Sequence, residues 1–359
     1  MCFLLYTVRL HAGSNHDMQS WIAPLRAGDV RTLARAISAV ENRAPGSSDL
    51  LKALFPHSGR ARVIGLTGAP GAGKSTLVDQ LARFYRKTKN PYTNPHSSRK
   101  QRGLNGPPDL DGALDVEDRY TVGIIAVDPT SPYTGGAILG DRIRMQEHFA
   151  DPGIYIRSMA TRGSLGGLAR TTADVTTVLD ASGRDVILIE TVGVGQDEVD
   201  IVRLADITIV ILVPGMGDDV QTIKAGIMEI ADIFVINKSD YDGAERVERE
   251  IRGLQSLALR QDGWTPPIVN TVASKGTGIE QLAAAIASYE AYLEKENLAL
   301  KKSVENWQER LVEMLRDAML EKARAQMSGG KLAQLAAEVA EHKRDPYTLV
   351  EEIAGKANT

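Results

Sequence analysis

The stretch Gly68-Ala69-Pro70-Gly71-Ala72-Gly73-Lys74-Ser75, followed by Thr76, has the glycine and cation spacing of a loop that wraps phosphate. It follows an apolar run, residues 62–67, and opens a helical pattern, which is the strand–loop–helix setting the motif requires. Its glycines let the backbone turn tightly enough to aim several N–H groups at one anion, and the helix N-terminus adds a favourable dipole. Lys74 is expected to reach the β- and γ-phosphates of a nucleotide, and the Ser75 hydroxyl to ligate Mg2+. A glycine-rich turn that matches by chance is the alternative, and the flanking pattern argues against it.

A second set of residues points to the base. Asn237-Lys238-Ser239-Asp240 ends the sixth apolar run, and Ala273-Ser274-Lys275-Gly276 follows the seventh. A carboxylate at Asp240 can accept from both N1–H and the exocyclic amine of guanine. Adenine has no such donor pair, so an adenine nucleotide would leave the carboxylate unmatched. Lys238 is expected over the base plane and Asn237 as the tie to the phosphate loop. Ser274 and Lys275, with Gly276, are expected to present backbone and side-chain stem to the guanine. The ligand these residues imply is GTP or GDP with Mg2+.

Metal binding and γ-phosphate sensing call for carboxylates near Ser75. Asp128 follows the second apolar run, Asp141 lies in the next loop, and Glu190 ends the fourth run. Glu190-Thr191-Val192-Gly193 stands where an Asp-x-x-Gly motif would serve, with Gly193 offering its N–H to the γ-phosphate. The expected catalytic set is therefore Lys74, Asp128, Asp141, Glu190 and Gly193, and the expected metal set Ser75, Asp128, Asp141 and Glu190. Asp128 before Pro129 also reads as a turn former, and Asp141 as a helix N-cap.

These groups need a scaffold that ends many strands at one edge. Short runs rich in Val and Ile occur at 62–67, 121–127, 154–158, 185–190, 206–213, 231–236 and 267–271, with helical stretches between most of them. That alternation predicts an α/β fold of the P-loop NTPase type, with a mostly parallel central sheet flanked by helices. Three glycine-rich loops, 131–140, 161–167 and 214–219, fall on the carboxyl side of the sheet, where such folds bind ligands. Residues 1–60 read as an N-terminal helical extension, 61–290 as the nucleotide domain and 291–359 as a C-terminal helical arm. Within the domain, 87–119 is poor in apolar residues, basic in its first half and acidic in its second. It reads as a disordered insertion at the far end of the sheet.

With 43% hydrophobic and 25% charged residues and a net charge of −4, the chain reads as soluble and lacks the basic excess of a nucleic-acid binder. Its single cysteine, Cys2, excludes an intrachain disulfide and a cysteine metal cage, and fits a reducing cytoplasm. The first ten residues are apolar but too short to span a bilayer, so neither targeting nor membrane insertion is expected.

Four longer strings carry a resemblance: VDPTSPYTGGAILGDRIRM (127–145), RSMATRGSLGGLA (157–169), ETVGVGQDEVD (190–200) and VPGMGDDVQTIKAG (213–226). They resemble the MeaB/ArgK family of methylmalonyl-CoA mutase-associated G-proteins, over about Trp21 to Ile353, interrupted by an 87–119 insertion that the family generally lacks. The resemblance implies a homodimeric GTP-hydrolysing chaperone that gates adenosylcobalamin loading and protects a B12-dependent acyl-CoA mutase. It also implies that Ser75, Asp128, Asp141 and Glu190 are magnesium and catalytic-site residues, that 214–226 is a switch responding to the mutase, and that the C-terminal helices are the dimerisation arm.

Two other functions compete. A kinase acting on a transport protein would need an acceptor site, which no residue pattern here identifies. A nickel-insertion metallochaperone would need Cys and His near the moving loops, and of the six histidines only His148 lies there.

Overall fold

The computed structural model describes residues 18–90, 118–128, 148, 150–160, 167–191, 204–215, 230–257, 260, 262–327 and 330–357. The Val- and Ile-rich runs form strands β1 (Arg62–Gly68), β2 (Val122–Asp128), β3 (Ile154–Ala160), β4 (Val186–Glu190), β5 (Ile207–Leu212), β6 (Ile233–Asn237) and β7 (Ile268–Thr271). Each lies within two residues of its expected bounds. The described helices are α1 (Ile22–Arg26), α2 (Val30–Glu41), α3 (Ser47–Leu54), α4 (Lys74–Lys87), α5 (Gly167–Ala181), α6 (Ala244–Leu257), α7 (Ile279–Lys295), α8 (Ala299–Gln326), α9 (Lys331–Ala340) and α10 (Pro346–Ala357).

All seven strands are parallel, in the order β3-β2-β4-β1-β5-β6-β7. Every residue of β4, β5 and β6 is buried, because helices cover both faces. That is why these runs are continuously apolar rather than alternating. On one face, Leu77, Leu81 and Tyr85 of α4 pack with Leu282, Ile286 and Tyr289 of α7 against β1, β2 and β5. On the other face, Leu33 and Ile37 of α2, Leu50 and Leu54 of α3, and Val175 and Leu179 of α5 close over Ile125, Ile187 and Ile189. A smaller cluster seats Val247 and Ile251 of α6 on Phe234 and Ile236 of β6.

The N-terminal helices follow local rules. Asp29 caps α2 by accepting from the Thr32 N–H at 2.8 Å. Pro45 and Gly46 then break the pattern, and Gly46 takes φ +87° to start α3. The base of the long insertion is closed by backbone pairing: the Asn90 N–H donates to the Asp118 carbonyl at 2.7 Å, and Lys89 bridges Arg119 antiparallel. This closure follows the C-terminal end of α4 and precedes β2, at the sheet edge away from the phosphate loop. Residues 91–117 lie outside the described residues.

The chain divides into two compact units, Met1–Leu300 and Lys301–Thr359. The second is helical, and within it the Asp345 carboxylate caps α10 by accepting from the Thr348 N–H at 2.8 Å, while Arg344 pairs with Glu338 and Glu352. Among the described residues no helix is long and apolar enough to cross a membrane.

The entry into β1 depends on one buried carboxylate from α5. Asp180 accepts from the N–H groups of Gly59, Arg60 and Ala61, the last at 2.9 Å. Asp180→Ala should therefore lower unfolding free energy by about 2–4 kcal/mol, since several backbone donors lose a charged acceptor together. Urea denaturation at constant m-value measures this, and Asp180→Asn should fall between the two.

Candidate functional site

The loop after β1 is shaped by two close approaches. Gly68 pairs with Ile211 of β5 in the sheet register, and a Cβ on it would sit 2.3 Å from the Ile211 carbonyl oxygen. Gly73 has φ +88°, and a Cβ there would sit 2.4 Å from Asn237 Nδ2. A side chain is therefore barred at both positions. Between them the loop turns through an Ala72 N–H to Ala69 carbonyl bond at 3.1 Å and delivers Lys74 as the first residue of α4. Lys74 is buried, and its ammonium donates to the carbonyls of Gly68 at 2.7 Å and Ala69 at 3.1 Å. Pro70 and Gly71 form the exposed tip.

Beside the loop stands Glu190, the last residue of β4 and 5% exposed. It aligns with Leu66 of β1 and Ala126 of β2, and its Oε1 accepts from the Ser75 hydroxyl at 2.6 Å. The sheet register thus brings together two residues 115 positions apart in sequence. Asp128 closes β2 opposite Ala160 of β3, two residues beyond the position level with Glu190. Its side chain lies outside the described part of the structure, as do Asp141 and Gly193 entirely.

The base-side loops are joined to the phosphate loop by Asn237. Its Nδ2 donates to the Ala72 carbonyl at 2.8 Å, and its Oδ1 accepts from the Ala273 N–H at 3.0 Å and the Thr271 hydroxyl at 3.1 Å. Lys238 then takes φ +55°, uncommon for a residue with a side chain, and its ammonium donates to the Gly71 carbonyl at 3.0 Å. The Ser239 N–H and hydroxyl both donate to the Thr271 carbonyl, at 3.0 and 3.1 Å. Asp240 thereby projects beside the short helical turn Ala273–Lys275, where its Oδ2 accepts from Lys275 Nζ at 2.8 Å. That hydrogen bond and charge hold the Asp240 carboxyl below its usual range, and Asp240 in turn raises Lys275. Gly276 ends the turn at φ +70°, and Ser274 is exposed.

Two features of the site have no motif in the sequence. The Thr191 hydroxyl donates to the Thr67 hydroxyl at 3.1 Å and its N–H to the Leu66 carbonyl, so the residue after Glu190 is tied to the residue before Gly68. A Thr at each strand end is the only signal, and it is weak. His148, which the sequence offers only as a candidate metal ligand, is the second. It is buried against Asp79 of α4 at 2.5 Å, and Arg83 Nε donates to the same carboxylate at 3.0 Å. Burial pushes the Asp79 carboxyl up, but the His148 and Arg83 contacts draw it further down.

The Gly73–Asn237 approach can be tested by a double-mutant cycle. Gly73→Ala alone should destabilise by about 2–3 kcal/mol, from a left-handed alanine and a collision with Nδ2. Asn237→Ala alone should cost about 1–3 kcal/mol by stranding the Ala273 N–H. In the double variant the collision partner is gone, so the sum should exceed the measured loss by about 1 kcal/mol or more. Additive losses by denaturant unfolding would count against the close approach.

Residues 33–90 and 113–328 match the family described as Methylmalonyl Co-A mutase-associated GTPase MeaB, and the gap between the two matched stretches falls within the long insertion. A Pyrococcus abyssi protein named a GTPase is 44% identical over 92% of this chain and 94% of its own length. GTPase ArgK of Escherichia coli is 35% identical over 76% of each chain. The mouse mitochondrial protein named methylmalonic aciduria type A homolog is 36% identical over 61% of this chain and 46% of its own. Among solved structures, that of a LAO/AO transport system kinase superposes with a TM-score of 0.63 at 25% identity, over 97% of this chain and 99% of that one. The phosphate loop on β1, the carboxylate ending β4 and the Asn-Lys-x-Asp loop on β6 thus stand in a chain that belongs to the methylmalonyl-CoA mutase-associated GTPase family MeaB.

Proposed function

We propose that the GTPase activity of this chain is that of a switch coupled to a B12-dependent acyl-CoA mutase, for which it gates adenosylcobalamin loading and guards the loaded enzyme. The observation that carries the nucleotide part is a convergence at the carboxyl edge of the sheet. Lys74 and Ser75, Glu190, Asn237 to Asp240, and Ala273 to Gly276 come from the ends of four strands and are linked by the hydrogen bonds of Ser75 and Asn237. The mutase part is supported by the family's association with methylmalonyl-CoA mutase and by the mouse relative's name.

In this reading the Lys74 ammonium exchanges the carbonyls of Gly68 and Ala69 for phosphate oxygens, so the loop holds its cation in place before nucleotide arrives. Asp240 takes the guanine edge. The Ser75 hydroxyl and the Glu190 carboxylate are hard oxygen donors in contact, a set that suits Mg2+, which is commonly held by few protein groups plus phosphate. Ser75, Glu190, Asp128 and Asp141 would hold it. The ion would neutralise charge on the β- and γ-phosphates. Gly193 and segment 214–226, read as γ-phosphate sensor and mutase-responsive switch, belong to the same proposal, as does a homodimer through the C-terminal helices.

The transport-kinase reading draws on what one structural relative is called, and no residue pattern in the sequence identifies an acceptor site for it. For the metallochaperone reading, His148 is committed to Asp79.

Lys74→Ala should reduce GTP turnover at least about a hundredfold, because phosphate charge loses its compensating cation. Glu190→Gln should slow hydrolysis about tenfold or more while changing GDP affinity less. The coupling test is GTP turnover of the full chain with and without an adenosylcobalamin-dependent acyl-CoA mutase. Acceleration by the mutase is expected, and equal rates across the candidate mutases would remove the partner assignment while leaving the GTPase intact.

A further inference from the structure

The pair formed by Asp240 and Lys275 does little for the fold. Both side chains are substantially exposed, 34% and 65%, and an exposed ion pair contributes little to stability. The two loops are fastened independently of it. Ser239 is bonded to the Thr271 carbonyl, Asn237 to the Ala273 N–H, and the Val272 N–H donates to the Thr277 carbonyl at 3.1 Å. A lysine at such a place, 2.8 Å from one carboxylate oxygen, invites a role outside stability.

The geometry fits base recognition. The carboxylate has about four lone-pair directions, and Lys275 uses one of them on Oδ2. Both oxygens keep a direction for a further donor. The other nearby lysine, Lys238, has its ammonium on the Gly71 carbonyl, so Lys275 is the cation that faces Asp240 among the described residues. Tyr241 is the other titratable group acting on Lys275, and it is exposed on the same loop as Asp240.

We propose that the Lys275 ammonium is a positioning group for base specificity: it fixes the orientation of Asp240, so that both oxygens meet the paired N–H donors of a guanine. This deepens the reading of Lys275 as a backbone and stem contact, and it rests on Asp240 being the base-recognising carboxylate. Without the ammonium, Asp240 is free to rotate about its side-chain torsions, and at acid pH it binds a proton more readily. Either change takes an acceptor from guanine and takes nothing from adenine, which offers no matching donors.

The experiment measures GDP, IDP and ADP affinities across pH for wild type, Lys275→Met, Lys275→Arg and Asp240→Asn, with a melting curve for each. Inosine lacks the exocyclic amine, so IDP reports the N1–H contact alone. Methionine keeps an apolar stem for stacking and removes the charge. Lys275→Met should weaken GDP about five- to tenfold, weaken IDP less, and leave ADP affinity and melting temperature unchanged. Lys275→Arg should return GDP to within about twofold of wild type. The pH profile has a definite sign. The ammonium holds Asp240 ionised to lower pH, so in Lys275→Met the acid-side loss of GDP affinity should begin at a higher pH. GDP affinity equal to wild type at every pH would overturn the proposal, and so would a uniform loss for all three nucleotides. Weak GDP binding by Asp240→Asn beside normal binding by Lys275→Met would overturn this inference alone. Normal GDP binding by Asp240→Asn would remove the base-recognition reading beneath it.

Discussion

The site hangs on the buried side-chain amide of Asn237. It donates into the phosphate loop at Ala72 and accepts from Thr271 at the end of β7 and Ala273 in the loop after it, so one planar group fixes the spacing of three segments. The residue is 2% exposed, and a buried amide is costly unless its donor and acceptor are both used. That cost makes the arrangement definite. It also dictates Gly73, since any side chain at that position would occupy the space of Nδ2. The glycine of the phosphate loop is thus required twice, by its left-handed backbone and by a neighbour from another strand.

The two edges of the sheet divide their work. At the edge where strands begin, aspartates accept from backbone N–H groups in or just before the strands: Asp180 at Gly59 to Ala61, Asp185 at Thr121, Asp206 at Val63 and Asp232 at Thr208. Those carboxylates serve the scaffold. Arg86 adds to it by clasping Asp151 at 2.8 Å with two nitrogens while donating to the Tyr120 carbonyl. At the opposite edge the carboxylates of Glu190 and Asp240 contact a hydroxyl and an ammonium, groups that can exchange partners with a ligand. A parallel sheet makes this division natural, because all strands end on the same side and their loops gather there.

The helix α4 spans the distance between these edges. It starts at Lys74, presents Asp79 to His148 and Arg83 midway, and ends near the closed base of the insertion. Its buried face is set by Leu77, Leu81 and Tyr85 in the main core, which leaves its orientation little freedom. The phosphate loop leads directly into this helix, whose tilt would open that core.

Composition and spacing in the sequence determined the seven strands, the phosphate loop and the Asn-Lys-x-Asp loop. Those features are local: a continuous Val/Ile run has to be buried on both faces, and glycine at fixed offsets has to turn. The sequence also held the family resemblance, carried by strings such as ETVGVGQDEVD, which the family match bears out. The sequence also placed Glu190 near Ser75 as a shared metal set, and the two are in contact. Tertiary structure alone decided that Thr67 meets Thr191, that His148 is paired with Asp79, and that the Lys275 ammonium reaches Asp240. Each of these joins residues from different elements of the fold, and their distance depends on how those elements pack, for the strand-end pairs on sheet order and register. Neither is written in the spacing along the chain, because placing β4 and β5 on either side of β1 is a matter of how whole layers pack.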